Sequence, residues 1–491
     1  MLLCLMGFLF FCIIAMCFSS VLGYDISSLV GFVSYLLFTI LYINTESKVN
    51  AKVPLRKTGR LIRLIIVYCI VLGVITFGFL TLLNYLAFVI GSEVVGILRF
   101  SLICVMPILT PFILYFSSLL TSPFETIVKH FAIKRATLKL KRMQILKIGI
   151  TGSFGKTTVK EILKSILSQK YRVLATPASF NTPMGIALTV KHLDSTHDVF
   201  IAEMGARNRG DIKEVAKIVS PMYGVLTGVN IQHLETFKTL ENIKDTKFEL
   251  FENLTDGGEG FFSADNENSV ELANRFNGEK YFAGVSNPEN NLVSASNISV
   301  GEHGTSFTLN IKGEEGVPCS TVLLGKHSIK NICLAAAVAY KMGMTPIEIA
   351  LGINRIQSIG HRLELMPNNK GIVIIDDSYN ANIDGVVAAM EVLDLFNGRK
   401  IVLTPGLVEL GKDENMANME MGKILAKHAD HVIIIGRQNA EMILAGLLEG
   451  GMKKENIKFA TNLNKGNKEL NAMVKEGDVV LFENDLPDNY N

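Results

Sequence analysis

The chain has 491 residues, of which 49% are hydrophobic, and it carries a formal net charge of +2 with no Trp. Domains usually contain about 100–200 residues, so this length predicts three or four of them. The high hydrophobic share excludes an intrinsically disordered chain, because such a sequence can bury enough apolar surface to fold.

The net charge is an average over two different parts of the chain. Residues 1–147 carry 14 Lys and Arg and four acidic residues, a balance of +10. The remaining residues carry 34 basic and 42 acidic side chains, a balance of −8. An acidic globular part disfavours a nucleic acid partner, because a phosphate backbone attracts Lys and Arg.

Long apolar stretches fill residues 1–145. A helix of about 20 apolar residues spans a hydrocarbon core of about 30 Å. Four stretches approach or exceed that length: 2–22, 26–43, 64–90 and 94–120. Arg99 is the one charged residue in the fourth, near its outer end, where snorkelling to the interface is the favoured interpretation. The pattern predicts a transmembrane domain of about four helices over residues 1–145.

Basic residues cluster after the second and the fourth stretch: Lys48, Lys52, Arg56, Lys57, Arg60 and Arg63, then Lys129, Lys134, Arg135, Lys139, Lys141 and Arg142. The other two connections carry one acid each, Asp25 and Glu93. The positive-inside rule then predicts a multi-pass protein of the cell (inner or plasma) membrane, with residues 146–491 in the cytoplasm. The seven cysteines form no CxxC or Cys/His cluster, so neither a disulfide framework nor a zinc site is indicated.

From residue 146 onward, short β-type runs alternate with helical stretches, which is typical of an α/β fold with a parallel sheet. Strands are predicted at 147–150, 199–202, 224–227 and 260–263, with a helix over 157–170. Residues 281–325 are Gly-rich and alternating, which predicts antiparallel hairpins, and a helix is expected over 331–342. A second α/β run has predicted strands at 372–375, 401–403, 432–435 and 479–482. We place the domains at 1–145, 146–360 and 361–491.

The segment Gly152-Ser153-Phe-Gly155-Lys156-Thr157-Thr158 lies between a predicted strand and a predicted helix. Backbone N–H groups of such a turn and the helix N-terminus bind phosphate. Lys156 would contact the β- and γ-phosphates, and the Thr157 hydroxyl would ligate Mg²⁺. The strict eight-residue P-loop pattern fails at Ile150, which leaves the shorter G-x-x-G-K-T. The segment predicts a site for ATP and Mg²⁺.

Acidic and histidine residues near predicted strand ends are further candidates. Glu203 ends an apolar strand, where it is either a salt-bridge partner or the acid that a P-loop site needs beside Mg²⁺. His233 follows the strand 224–227 and is either a metal or phosphate ligand or a surface residue. Asp376 and Asp377 follow an apolar run and suit either cation binding or solvent-facing caps.

The shorter P-loop resembles that of the Mur ligase family, the ATP-dependent ligases that build the peptide of peptidoglycan. Further segments resemble family motifs in the same order over residues 146 to about 440: Asn181-Thr-Pro-Met-Gly185, Ala202-Glu203-Met204-Gly205, Asn230-Ile-Gln-His233, Lys247-Phe-Glu249, Gly325-Lys-His327-Ser328-Ile-Lys-Asn331, Gly360-His-Arg362-Leu-Glu364, Asp376-Asp377-Ser-Tyr379-Asn380 and Glu409-Leu-Gly411. The last two are most similar to the members that add D-alanyl-D-alanine.

The resemblance implies a P-loop central domain of the Mur ligase type and a Rossmann-like C-terminal domain. It implies that Glu203 and His233 are Mg²⁺ ligands, and that Lys247 is carried as a carbamate near the second metal. Asn331 and Arg362 are implied to bind the nucleotide, and Arg362 and Asp377 to act in catalysis from the C-terminal domain. On residue pattern alone, Lys247 within a helix is an ordinary solvated base.

The implied reaction is amide bond formation through an acyl phosphate. A carboxylate of a muropeptide-like cell-wall precursor, possibly lipid-linked, would be activated by ATP and attacked by an amino acid or dipeptide. A poly-γ-glutamate-type or other envelope-polymer ligase is the alternative enzyme. A membrane scaffold that binds ATP without catalysis is the alternative of another class.

The chain departs from the family in three places. Ser328 stands where the family's G-x-H-N-x-x-N motif has its first Asn. Apolar residues 1–145 stand where the family has a soluble domain that holds the UDP-sugar. Residues 482–487 lack the Lys-Gly-Ser pattern of the D-alanyl-D-alanine-adding members.

Overall fold

A computed structural model describes residues 57–483, apart from 91, 178–179, 232–233, 369–370, 380–381 and 409. The first two predicted spans, 2–22 and 26–43, therefore lie outside the described residues, as do His233, Asn380 and Glu409. The chain divides into two compact units, Met1–Phe131 and Ala132–Asn491.

Two long helices, α1 (Gly59–Ile90) and α2 (Ser92–Arg142), cover the predicted third and fourth spans. Among the described residues, only Gly59–Leu86 is long and apolar enough to cross a membrane. Helix α2 continues without a break from its apolar part into a basic last turn. The described part of the chain thus supports one candidate span, and the prediction of about four is not supported there.

A polar contact joins α1 to α2. Arg63 donates from Nε and Nη2 to the two carboxylate oxygens of Glu125, at 2.6 and 3.0 Å. The Arg63 guanidinium also lies 5.7 Å from the centre of the Phe124 ring. Further along, the hydroxyls of Tyr68 and Thr110 are 3.4 Å apart. The pairs 63–125 and 68–110 run in opposite directions along the chain, so the two helices form an antiparallel hairpin.

In the second unit, nine strands of the described residues form one sheet in the order β2-β3-β1-β4-β5-β6-β7-β8-β9. The strands are β1 (Leu146–Thr151), β2 (Val173–Ala175), β3 (Val199–Glu203), β4 (Tyr223–Leu226), β5 (Glu259–Ser263), β6 (Lys280–Ala283), β7 (Val293–Gly301), β8 (Gly304–Ile311) and β9 (Val317–Thr321). Pairing is parallel from β2 to β7 and antiparallel from β7 to β9.

Helices cover both faces of this sheet, because alternate residues of its central strands point to opposite sides. Val199 and Ile201 of β3 belong to one apolar cluster, and Phe200 and Ala202 belong to the other. The helices are α3 (Lys156–Leu167), α4 (Pro183–Val190), α5 (Asp211–Val219), α6 (Leu234–Phe237), α7 (Leu240–Glu252), α8 (Glu267–Arg275), α9 (Lys326–Lys341) and α10 (Pro346–Asn354). Strands buried on both faces read as continuous apolar runs.

The last turns of α2 belong to this second unit. Ala136 and Leu140 are buried in the same apolar cluster as Val190 and Leu193. Lys139 donates from Nζ to the Val190 carbonyl at 2.9 Å. The division between the two compact units along the chain, after Phe131, therefore falls within α2.

A second sheet has six strands among the described residues, in the order β10-β11-β15-β12-β13-β14. These are β10 (Glu364–Met366), β11 (Val373–Asp377), β12 (Lys400–Thr404), β13 (His431–Ile435), β14 (Ile457–Ala460) and β15 (Val479–Glu483). Only β10 runs antiparallel to its neighbour. The helices α11 (Ile383–Leu393), α12 (Glu414–His428), α13 (Ala440–Glu449) and α14 (Leu463–Met473) connect them.

The predicted α/β fold is confirmed, and both sheets are mixed, mostly parallel with antiparallel strands at one edge. The predicted hairpins are confirmed for β7 to β9, but residues 280–283 form β6, which is parallel to β5. The helix predicted from residue 331 begins at Lys326, because Gly325 adopts a φ of +82° and turns the chain directly into it.

Candidate active site

The P-loop connects β1 to α3 at the carboxyl edge of the first sheet. Gly152 has a φ of +153°, and a Cβ on it would lie 2.1 Å from the Thr227 hydroxyl oxygen. Ser153 donates its N–H to the Gly228 carbonyl at 2.8 Å. The loop therefore packs against the chain that follows β4, and its first position tolerates glycine alone.

The Ser153 side chain is part of this packing. Its hydroxyl donates to the Asn230 carbonyl at 3.0 Å and accepts from the Asn230 N–H at 3.2 Å. Ser153 therefore positions the loop through its side chain. Thr158, another predicted nucleotide-binding residue, lies in the first turn of α3.

Lys156 begins α3 and folds back over the loop. Its Nζ donates to the carbonyls of Gly152 and Ser153, at 2.8 and 3.1 Å. Burial lowers the pKa of Lys156 to about 8; the charge of Glu203 opposes this, and that of Arg362 adds to it. The amine thus occupies the phosphate-binding loop, close to one acid and one guanidinium.

Glu203 is the buried acid of the site, with 1% of its surface exposed. Its Oε2 accepts from the Thr157 hydroxyl at 3.0 Å and from Lys160 Nζ at 3.1 Å. The salt bridge considered from the sequence is therefore present, and Glu203 also accepts from Thr157, the predicted Mg²⁺ ligand of the P-loop. Sequence analysis missed Lys160; its signal was a charge among the apolar residues on the buried side of α3.

Thr157 and Glu203 fit a Mg²⁺ ion. Both offer oxygen atoms, the ligands that Mg²⁺ prefers, and this ion usually takes few protein ligands beside phosphate and water. No group of three or more His, Cys, Asp or Glu in the described part of the chain could hold a metal ion. His233, the predicted second ligand, lies outside the described residues.

Lys247 lies on α7 with 4% of its surface exposed. Burial lowers its pKa to about 7; Lys156 adds to this, while Glu249 and Asp211 oppose it. The Glu249 carboxylate meanwhile accepts from the N–H groups of Gly210 and Lys213, at 2.7 and 2.9 Å. Lys247 is thus not the solvated base that its helical position suggested, and a large share of its amine is neutral near pH 7.

The C-terminal domain brings Arg362 to the same place. Burial lowers the pKa of Arg362, and the charges of Asp377 and Glu203 oppose that shift. The guanidinium donates from Nη1 to the Tyr379 carbonyl at 2.8 Å. The charge of Glu203 acts on Arg362, and that of Arg362 acts on Lys156 of the P-loop.

Asp376 and Asp377 hold the turn that carries Arg362. Asp377 is 5% exposed, and its Oδ1 accepts from the Leu363 N–H at 3.2 Å. Asp376 accepts from the Ser378 N–H at 3.0 Å and pairs with His361 at 2.7 Å. Neither carboxylate is a simple solvent-facing cap, since both accept hydrogen bonds within the domain.

The motif at the start of α9 lies against the P-loop. Asn331 Oδ1 is 3.0 Å from where a Cβ on Gly155 would lie. Burial lowers the pKa of His327 to about 4, with Lys330 adding to it, so this ring is neutral at pH 7. Ser328 donates its hydroxyl to the Leu324 carbonyl at 2.8 Å, a local contact that leaves Asn331 as the motif's contact with the loop.

A second link joins the two domains. Asn230 donates from Nδ2 to Asp384, in the first turn of α11. Asn230 also pairs with Ser153 of the P-loop through its backbone. Sequence analysis did not identify Asp384, because no local pattern marks which distant residue a surface acid meets.

Two family profiles match this sequence. Residues 150–339 match the Mur ligase middle domain, and residues 361–483 match the Mur ligase, glutamate ligase domain. The UDP-N-acetylmuramoyl-tripeptide--D-alanyl-D-alanine ligase of Bacillus subtilis is 30% identical over 346 residues, covering 68% of this chain and 72% of that protein. The Escherichia coli protein of the same name is 30% identical over 293 residues, covering 60% of this chain and 65% of that protein.

A solved structure, MurF ligase from Thermotoga maritima in complex with ADP, superposes with a TM-score of 0.64 at 27% identity. The match covers 72% of this chain and 80% of that chain. The chain thus spans about 65% of the length of the E. coli relative.

The depressed pKa of Lys247 predicts a pH-dependent stability. The amine has a pKa of about 7 when folded against 10.5 ordinarily, so between these values the unfolded chain binds more protons and stability rises with pH. In CO₂-free buffer, Lys247→Met removes this contribution, at most about 1.4 kcal/mol per pH unit. We expect Lys247→Met to have a higher thermal midpoint than wild type at pH 7. This difference in thermal midpoint should decrease as the pH rises to 10.

Lys213→Met, at an exposed lysine on α5, is the matched control and should follow wild type at every pH. A constant difference between Lys247→Met and wild type over this range would contradict a depressed pKa at Lys247.

Proposed function

Because this chain belongs to the Mur ligase family, we propose that it is an ATP-dependent amide ligase that adds D-alanyl-D-alanine to a peptidoglycan precursor. The observation that carries this proposal is the hydrogen bond from Asn230, which also pairs with the P-loop, to Asp384 of the C-terminal domain. The charge of Arg362, on the same C-terminal domain, also acts on Lys156, and that of Glu203 acts on Arg362. A phosphate-binding loop facing a second domain suits the joining of two substrates. The relatives at 30% identity are named as ligases of this kind.

The central domain supplies the ATP end of the site. The backbone of residues 152–155 and the start of α3 would bind the phosphates, with Lys156 turning from its loop carbonyls to the β- and γ-phosphates. Thr157 and Glu203 would hold Mg²⁺, which supplies charge neutralisation at the transferring phosphoryl group. Lys160 pairs with Glu203 at 3.1 Å, and this salt bridge offsets part of the cost of burying the two side chains.

The reaction has two steps. A carboxylate oxygen of the precursor attacks the γ-phosphorus of ATP, the bond to the β-phosphate oxygen breaks, and ADP leaves. The amine nitrogen of the dipeptide then attacks the acyl carbon of the acyl phosphate. Phosphate leaves, the amide forms, and the amine loses its proton to phosphate or solvent.

Positively charged groups dominate the predicted reaction centre. In-line phosphoryl transfer depends mainly on positioning and on neutralising charge. Lys156 and Arg362 are available on opposite domains for that purpose, and their burial strengthens each interaction with an anion. Closure of the C-terminal domain, with Asn230 and Asp384 in contact, would also protect the acyl phosphate from water.

Lys247 is proposed as a carbamate, following the family resemblance. CO₂ adds to a neutral amine, and a pKa of about 7 leaves such an amine available at neutral pH. The resulting anion would lie near Lys156, whose charge already acts on Lys247. We expect a carbamate carbon signal in the NMR spectrum of protein equilibrated with ¹³C-labelled bicarbonate. Persistence of that signal in Lys247→Met would contradict the assignment.

Lys156→Ala is predicted to abolish ATP turnover while the protein still folds, because the loop loses its mobile charge at the phosphates. Phosphate release is measured with D-alanyl-D-alanine and a muramoyl tripeptide that is supplied in UDP-linked and in lipid-linked form. Lys164→Ala, at an exposed position of the same helix, is the control and should keep wild-type turnover. Unchanged turnover in Lys156→Ala would contradict the P-loop assignment.

The same assay separates the candidate functions. Stimulation by D-alanyl-D-alanine supports the proposal, and stimulation by glutamate instead would favour a poly-γ-glutamate-type ligase. ATP binding with no amine-dependent phosphate release would favour a non-catalytic scaffold.

We further propose that the first unit anchors the enzyme in the cell membrane. Helix α1 exposes large apolar side chains along its length: Val74 is 67% exposed, Phe77 71%, Tyr85 79% and Phe88 99%. Exposed apolar surface on this scale suits lipid better than water. The polar pair Arg63–Glu125 lies between the two helices instead. The basic residues after the second and fourth predicted spans favour a cytoplasmic location for the ligase domains.

A membrane-anchored enzyme is predicted to act on a lipid-linked muropeptide. Carbonate-washed membranes should retain amine-dependent ligation. Because ATP does not cross membranes, inside-out vesicles should be active without detergent and right-side-out vesicles should not. Activity lost to the carbonate wash would contradict the anchor. Full ligation of UDP-linked peptide with no use of a lipid-linked acceptor would contradict the proposed substrate.

A further inference from the structure

The turn that carries Arg362 has an unfavourable backbone. His361 has a φ of +60° and Leu363 a φ of +48°. A non-glycine residue rarely adopts such values, and for a bulky residue such as Leu the conformation is an outlier. Two such residues within three positions persist only if surrounding contacts fix the turn. Backbone strain of this kind clusters at functional sites.

Those contacts come from the end of β11 and from Glu364. Leu363 donates its N–H to Asp377, as described above, and the His361 N–H donates to Glu364 Oε2 at 3.1 Å. The Tyr379 N–H donates to the His361 carbonyl at 3.4 Å. Backbone bonds therefore hold both ends of the turn.

The His361 side chain adds the shortest of these contacts. Its Nδ1 lies 2.7 Å from Asp376 Oδ2 and 3.2 Å from the Ser378 hydroxyl. A carboxylate accepts hydrogen bonds only, so Nδ1 carries the hydrogen. The imidazole ring also lies 5.5 Å from the Tyr379 ring, the same ring that Arg362 approaches at 5.6 Å.

We propose that His361 is a positioning residue of the ligase, which fixes the strained turn through Asp376 and so holds the Arg362 guanidinium at the P-loop. This inference rests on the proposed function and deepens it by one residue. His361 need not touch substrate. Its hydrogen bond sets where the guanidinium lies, and a misplacement of about 1 Å in such a group costs roughly 10²-fold in rate.

Asparagine is the replacement for His361 that tests a positioning role through the hydrogen bond to Asp376. Its Nδ2 is three bonds from Cα, as is Nδ1 of histidine, so it reaches Asp376 with the same donor geometry. Asparagine also tolerates the left-handed conformation better than most residues. Glycine relieves the backbone strain entirely but offers no donor. Alanine lacks both properties.

The experiment compares full-length wild type, His361→Asn, His361→Gly and His361→Ala in amine-dependent phosphate release. We expect His361→Ala and His361→Gly to lose about 10- to 100-fold in kcat, with the KM for ATP unchanged because the P-loop is intact. His361→Asn should recover most of the lost kcat. Thermal unfolding of each variant shows whether any loss follows from instability.

His428→Ala is the matched control. His428 also pairs through Nδ1 with an aspartate, at 2.6 Å from Asp394 Oδ2, on the surface of the same domain. It should leave kcat unchanged, because that pair supports no turn at the site.

Equal activity of the Asn and Ala variants would overturn the proposal, as would recovery by glycine or a loss confined to the KM for ATP. If His361→Ala does not fold, the comparison of Asn with Gly decides in the same way. Wild-type protein without amine-dependent turnover would contradict the proposed function itself. An active wild type with unchanged His361 variants would contradict only the role of His361.

Discussion

The buried carboxylate of Glu203 is the constraint on which the site depends. A charge at the end of a fully buried strand is costly unless it is paired. Lys160 and Thr157, both on α3, supply that pairing through one oxygen atom. The pairing fixes α3 against β3, and the same helix begins with the P-loop lysine. Fold stability and phosphate binding are therefore linked through a single side chain.

Glu203 also affects the basic groups around it. Lys156, Lys247 and Arg362 are all basic, and burial lowers the pKa of each. Glu203 offsets part of this cost for Lys156 and Arg362. Lys156 and Arg362 are thus basic groups that already interact with one buried acid before any phosphate binds. Basic groups fixed in advance provide the electrostatic preorganisation that phosphoryl transfer needs.

The two halves of the site belong to domains with separate sheets and cores. Glycine conformation and a backbone hydrogen bond hold the P-loop against the chain that follows β4. Arg362, in contrast, sits on a strained turn that the end of β11 holds in place. A positioned arginine on a second domain allows the site to be completed only when the domains meet. The contact between Asn230 and Asp384 marks that arrangement.

The sequence alone determined the features that short-range chemistry encodes. The P-loop, the parallel sheets and the hairpins β7 to β9 were predictable, because glycine positions and apolar periodicity are local patterns. The family motifs identified four candidate site residues: Glu203, Lys247, Asn331 and Arg362. It did not extend to Lys160, His361 or Asp384, whose partners lie 43, 15 and 154 residues away along the chain.

Tertiary structure decided those partnerships and the burial that changes their chemistry. Lys247 reads as a solvated base in a helix, and only packing lowers its pKa to about 7. Asp376 and Asp377 read as a cation site or as caps, whereas in the fold they hold the turn of Arg362. Residues 281–325 were predicted as hairpins, yet β6, which covers Lys280–Ala283, pairs in parallel with β5. A periodic pattern specifies which face of a strand or helix is apolar. The rest of the chain determines which element packs against that face.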